Sequence, residues 1–248
     1  MMDRFFEECQ RVGAKVFVLL LLFLSLNVAA MFYTKDKLPQ WTNIPPAPSS
    51  LAITMAFLGD PELAYRSSAL TIQNFGNMTG QDQALKDYNY DHLEQWFWME
   101  NSLNKKSNYI PALAAYYFGA TQNPEQLYPV IDYLRVVGTY PDDGKWRWLG
   151  QSIFLARHKL DDQKLAMELA DELAGVYRKG MPGWTLQMKS IIASEMGEKE
   201  LAYDMMVEIL KTESANLHPA EVNFMLDYIC NTILDPVQKS QNALCQGQ

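Results

Sequence analysis

The residues best suited to chemistry in this 248-residue chain are three histidines, three cysteines and a few clustered acids. His92, His158 and His218 lie far apart and none stands in an HExxH or HxH context, so each suits a surface or capping position. There is no GxSxG, no GxxxxGK[ST] and no glycine-rich loop after a strand, so nucleophilic catalysis and nucleotide binding lack a motif. Asp142 and Asp143, in Tyr140-Pro141-Asp142-Asp143-Gly144, have the composition of a hard-cation or acid–base pair. Pro, Asp and Gly are also turn residues, and no EF-hand spacing follows, so a turn leading into a helix cap is expected. Glu94, Glu100 and Glu125 are acids of the kind that hydrolyse glycosides, but nothing in the sequence pairs them. The expectation is a protein that is not an enzyme, with no cofactor and no metal.

Aromatic residues are more informative. Trp96-Phe97-Trp98, Tyr116-Tyr117-Phe118 and Trp146-Arg147-Trp148 fall in stretches predicted to be helical. Neighbours on a helix point about 100° apart, so no triplet can turn every ring into one core. Trp96, Trp98, Tyr116, Trp146, Arg147 and Trp148 are therefore the candidate partner-binding residues. The alternative is that the rings fill wide gaps between helices. Arg147, between two tryptophans, can make a cation–π contact or meet an acidic partner. Asn77-Met78-Thr79 is a glycosylation sequon by pattern, relevant only in a eukaryotic source.

The elements that must position these groups begin with an apolar run. Val16 to Tyr33 contains no charge and as a helix would span about 27 Å, close to the thickness of a bilayer core. An uncleaved signal anchor explains why apolar character runs on through Met31, Phe32 and Tyr33. A cleaved signal peptide ending near Val28-Ala29-Ala30 is the competing reading. Arg4, Arg11 and Lys15 precede the run and Lys35 and Lys37 follow it, a bias that puts residues 1–15 in the cytoplasm and the remainder in a periplasm or lumen. Residues 1–33 hold three bases and three acids (Asp3, Glu7, Glu8), so the whole net charge of −8 belongs to the downstream part. Such a surface repels nucleic acid and anionic headgroups.

Cys9 lies on the cytoplasmic side, whereas Cys230 and Cys245 both lie downstream. The latter two either close a disulfide that ties the tail to the last helix or are unrelated thiols. With no CxxC or Cys/His cluster, structural zinc has no support. Residues 34–48 include Pro39, Pro45, Pro46 and Pro48 and read as an extended spacer. Residues 49–234 read as helical throughout, with residues 235–248 as a tail. Asp60-Pro61-Glu62, Asn123-Pro124-Glu125 and His218-Pro219 with Glu221 each join a capping side chain, a proline and an acid at a helix start. Gly76, Gly138 and Arg178-Lys179-Gly180 suit helix ends.

Internal repetition stands out. Gly59-Asp60-Pro61-Glu62-Leu63-Ala64-Tyr65 matches Gly197-Glu198-Lys199-Glu200-Leu201-Ala202-Tyr203 at five of seven positions, offset by 138 residues. Asp161 to Ala166 repeats the Leu-Ala step, 102 residues after Ala64. These offsets are near four and three periods of about 34. The pattern resembles the tetratricopeptide-repeat family of helical hairpins. The family's turn residue is matched by Gly59 and Gly197, the second-helix alanine by Ala64, Ala166 and Ala202, and the small first-helix position by Ala52 and Ser190. Phe154 departs from that small position, Thr71, Leu173 and Ile209 replace a second alanine, and the spacing drifts to 36. The resemblance covers residues 49–76 and 144–213, with residues 77–143 joined loosely through a hairpin from Pro111 to Gly138.

The expected fold class is all-α: a single N-terminal transmembrane helix, then a tetratricopeptide-like hairpin solenoid or an irregular helical bundle. The anchor, the spacer, the repeated hairpins and the missing catalytic motifs together point to a non-catalytic module that scaffolds or assembles a membrane or envelope complex, gripping other membrane or envelope proteins or peptide segments. An envelope enzyme acting on a glycan or peptide polymer, or a cleaved soluble binding protein, are the alternatives.

Overall fold

The computed structural model describes residues 2–34, 44–76, 83–141 and 144–246, which fall into two compact units, Met1–Thr42 and Asn43–Gln248. Lys35, Lys37, Pro39, the Asn77-Met78-Thr79 sequon and the Asp142-Asp143 pair lie outside the described residues. Within them the chain is all-helical, with no strand beyond one isolated bridge between Lys179 and Met181.

The first unit is one helix, α1 (Met2–Thr34). Its stretch Lys15–Tyr33 has a mean hydropathy of 2.4 and none of it is buried in the protein. Apolar side chains face outward around the whole circumference from Val16 to Tyr33. The polar side chains there turn back on the helix: Ser25 Oγ donates to the Leu22 carbonyl (2.8 Å) and Asn27 Nδ2 to that of Phe23 (3.2 Å). Donors satisfied internally are what an apolar solvent demands. Among the described residues this is the one helix long and apolar enough to cross a membrane.

The second unit contains α2 (Ser50–Ala56), α3 (Pro61–Gln73), α4 (Tyr90–Leu103), α5 (Tyr109–Ala112), α6 (Leu127–Gly138), α7 (Trp146–His158), α8 (Gln163–Gly175), α9 (Trp184–Glu195), α10 (Lys199–Glu213), α11 (Pro219–Tyr228) and α12 (Pro236–Gln241). From α6 to α10 each helix packs on the next in sequence, while α4 packs on α3 and α6. The main core includes Ile72, Leu93, Phe97, Phe118, Ile131, Leu134, Leu149 and Ile153, all at most 1% exposed. A smaller core gathers Ala193, Ala202, Met206, Met225, Ile229 and Ile233, and half-buried Met167 packs against both.

Capping chemistry places the helix starts. Asp60 accepts from the backbone N–H of Glu62 (2.9 Å) and Leu63 (3.1 Å), with Pro61 at the first helical position. His218 and Glu221 form a reciprocal capping box on α11. Asn123 accepts from Glu125 N–H and starts a 3-10 turn, Pro124–Gln126, that leads into α6.

The three repeated turns share one left-handed position: φ is 85° at Gly59, 56° at Asp161 and 86° at Gly197. Each turn also bonds back into the preceding helix, though not in one register, through Gly59 N to Thr54 O (2.9 Å), Asp162 N to Ala156 O (3.0 Å) and Glu198 N to Ala193 O (2.9 Å). Ala64, Ala166 and Ala202 are fully buried. Ser190 is equally buried, but Ala52 is exposed, and α2 has no buried residue.

Gly138 does stand at a helix end. It is the last residue of α6, and a β carbon there would lie 2.5 Å from the backbone nitrogen of Leu149, so glycine lets α6 and α7 touch. The Pro111–Gly138 stretch is not a plain hairpin, because α5 passes into a π turn (Leu113–Tyr117) and a 3-10 turn (Phe118–Ala120) before α6. The end of the spacer is not free: Ile44 is 4% exposed, and its carbonyl and that of Pro45 are bound by His92 Nδ1 (2.7 Å) and Trp96 Nε1 (2.8 Å). The tail also folds: α12 carries an Asp235/Gln238 capping box, and a disulfide joins Cys245 to Cys230 with Cα atoms 5.8 Å apart.

Candidate functional site

The six candidate residues do not form one exposed surface, since Trp96 and Trp148 are buried. Trp96 on α4 is only 7% exposed and packs edge-on against Phe75, ring centroids 5.2 Å apart. Trp98, half-buried one face round, donates to Glu94 Oε1 (2.9 Å) and meets Tyr133 edge-on at 5.1 Å. Trp148 on α7 is 8% exposed and donates to Asn108 Oδ1 (2.8 Å). Trp96 and Trp148 are thus core residues and present no surface to a partner. Their indole N–H groups are buried with backbone or amide acceptors, and the rings fill space between helices.

Tyr116, Trp146 and Arg147 do reach the surface. Tyr116 is 63% exposed on the π turn and touches Trp148 edge-on at 6.2 Å. Trp146 opens α7, half-buried, edge-on to Trp184 at 5.6 Å. The exposed Arg147 guanidinium lies 5.1 Å from the Trp146 ring centroid, within cation–π range.

Beside Arg147 the loops after α6 and α8 enclose a cleft of about 410 Å³, lined among others by Tyr140, Trp146, Arg147, Arg178, Lys179 and Met181. Arg178 bridges the two loops by donating from Nη1 to the Pro141 carbonyl (2.9 Å). A polar hub holds the base of the α6–α7 loop. Lys145, 1% exposed, donates from Nζ to the Ser107 carbonyl (2.7 Å), Tyr65 OH donates to Ser107 Oγ (2.6 Å), and Asn101 Nδ2 to Tyr140 OH (3.0 Å). Sequence reasoning treated Arg178-Lys179 as a helix end and passed over Tyr140 and Trp184 as site residues. The available signal was that neither Arg178 nor Lys179 has an acid three or four residues away to pair with along a helix.

The acids and histidines weighed for catalysis have separate environments. Glu94 accepts from Trp98, and Glu125 sits in the turn before α6. Glu100 is fully buried, and neither carboxylate oxygen has a hydrogen-bond partner among the described residues. Burial pushes its carboxyl up to about 7, opposed only in part by the nearby Ser68 hydroxyl, which donates to the Ala64 carbonyl. Burial raises the neighbouring Tyr133 phenol well above its ordinary value too, with Tyr65, Tyr140 and Glu100 adding to the shift. His92 binds the Ile44 carbonyl, His158 packs on Phe154 at 5.0 Å and His218 caps α11. Among the described residues no group of three or more His, Cys, Asp or Glu could hold a metal ion.

No protein-family model, curated protein or solved structure matches the chain.

Proposed function

We propose that this chain is a membrane-anchored, non-catalytic interaction module, in which α1 holds a tetratricopeptide-like helical domain outside the cytoplasm to scaffold or assemble an envelope complex. The observation that carries the reading is α1 itself. A helix apolar around its full circumference, with its polar side chains bonded to its own backbone, is stable in lipid and costly to expose to water. Bases ahead of the span favour a cytoplasmic N-terminus. The Cys230–Cys245 disulfide supports an oxidising compartment for the domain. The shared turns at Gly59, Asp161 and Gly197, each followed by a buried alanine, support repeated hairpins of a kind that present extended binding surfaces.

The test is affinity capture of the tagged full-length chain from gently solubilised membranes, with co-purifying proteins quantified by mass spectrometry. A stoichiometric membrane or envelope protein is the expected result. Recovery of the chain alone, repeated after cross-linking, would overturn the scaffold reading. Release of the chain by alkaline carbonate would overturn the anchor.

A further inference from the structure

Among the described residues of the second unit, the three most exposed large apolar side chains stand together at its start: Leu58 at 99%, Leu51 at 71% and Met55 at 66%. Leu51 and Met55 lie four residues apart on α2 and share one face, and Leu58 follows in the turn after it. Ile53, on the opposite side of the helix, is half-buried and packs on the main core. Leu58 also has φ 57°, a left-handed backbone that glycine adopts freely and leucine only at a cost. A side chain this exposed recovers none of that cost by packing within the protein.

The same stretch is free of charge. Leu38–Gly59 runs for 22 residues without Asp, Glu, Lys, Arg or His, the longest such run in the chain. In a protein of net charge −8 it is the segment that lipid headgroups repel least. The polar side chains of α2 turn back on the helix as those of α1 do: Thr54 Oγ1 donates to the Ser50 carbonyl (2.7 Å), and Ser49 Oγ accepts from the Ala52 N–H (3.2 Å). The tether is short as well. Only residues 35–43 separate α1 from Ile44, and even when straight they extend at most about 35 Å. A face kept that close to its target needs only weak affinity, about millimolar, to stay bound.

We infer that α2 and the turn after it dock on the phospholipid surface to which α1 anchors the chain, with Leu51, Met55 and Leu58 entering the interfacial layer. The inference rests on the anchor reading and goes beyond it: the helical domain is held in one attitude instead of swinging on its tether. A second copy or another protein is the less favoured occupant, because the exposed face offers Leu, Met and Ala and no exposed Trp, Tyr or Arg to anchor a protein interface.

The experiment uses the full-length chain carrying Cys9→Ser, with the Cys230–Cys245 disulfide intact, at one chain per nanodisc of zwitterionic lipid. A polarity-sensitive dye is attached at Leu51→Cys, Met55→Cys or Leu58→Cys, with Leu201→Cys on α10 and Leu24→Cys in α1 as references. A nitroxide on the lipid acyl chain should quench the first three at least about threefold more than Leu201→Cys, and aqueous iodide should show the reverse order. Adding Leu51→Glu and Leu58→Glu to the Met55→Cys chain should lower its lipid quenching to the level at Leu201→Cys. The thermal melt should not change, because α2 has no buried residue. Quenching by iodide and not by lipid, or lipid quenching unaffected by the two glutamates, would overturn the inference. Protection from both quenchers would overturn it too, since protein would then cover the face: residues 35–43, or a second copy where protection needs several chains per disc. Lipid quenching at Leu24→Cys without any on α2 would sink this inference and leave the anchor standing, whereas none at either place would sink both.

Discussion

Trp96 donates its indole N–H to the carbonyl of Pro45 at 2.8 Å, joining positions 51 residues apart in the chain. That bond and the one from His92 to Ile44 hold the first described segment of the second unit against α4, with Ile44 buried beneath. Trp96→Phe should cost about 1 kcal/mol through the lost hydrogen bond. Trp96→Ala, which also opens a cavity beside Phe75, should cost about 3–5 kcal/mol. Chemical denaturation of the two variants checks the order. If Trp96→Ala left stability unchanged while abolishing partner capture, Trp96 would be a surface residue after all.

This bond also shows where sequence reasoning stops. Prolines at 45, 46 and 48 point to an extended spacer, and the backbone there is indeed irregular. What cannot be seen locally is that two donors on α4 claim its carbonyls. The aromatic triplets were legible only as angles. Periodicity shows that Trp96, Phe97 and Trp98 diverge, but not which neighbours cover Trp96 and leave Trp98 half-open. Arg178 and Arg147 are 31 residues apart, and their meeting depends on how the loops after α6 and α8 fold together. Helix caps at Asp60, Asn123 and His218 were legible because an N-cap is satisfied within three residues of itself. α1 was legible because an unbroken apolar run can be read from composition alone.

Glu100 should make stability depend on pH. Its carboxyl is raised from 4.5 to about 7 by burial. Between those values the folded protein keeps a proton that the unfolded chain has lost, so the contribution of Glu100 is full below about pH 4.5 and is lost as pH rises to about 7. Glu100→Gln removes that dependence. The stability of the variant relative to the parent should therefore grow across the window by on the order of 3 kcal/mol. Denaturation curves of both proteins at several pH values test this, and a pH-independent difference would mean that the carboxyl is not desolvated.

The Cys230–Cys245 bond should matter chiefly to the smaller core. It closes a loop with a sequence separation of 15 that includes α12, whose end is also held by Asn242 Nδ2 donating to Tyr203 OH at 2.8 Å. Removing such a cross-link costs about 3 kcal/mol by loop entropy. Reduction, or replacement of both cysteines by serine, should raise hydrogen exchange in α11 and α12 more than in α6 and α7. Uniform loosening of the whole unit would show that the two cores do not melt separately.

The repeated turns make the sharpest local test, because one backbone conformation is served by two different residue types. Gly59 and Gly197 adopt φ near 85° with nothing within 4 Å of where a β carbon would stand. Gly59→Ala and Gly197→Ala therefore meet no clash, and each should lose about 1 kcal/mol from left-handed backbone strain alone. Asp161 already bears that strain at φ 56°. Asp161→Gly should relieve it and gain about 0.5–1 kcal/mol after the added freedom of the unfolded chain is counted. Thermal melts of the three variants decide the matter. Opposite signs at Asp161 and at the glycines would establish that all three positions carry the same left-handed backbone, whereas a loss at Asp161 would mean that its side chain contributes more than the backbone relief returns.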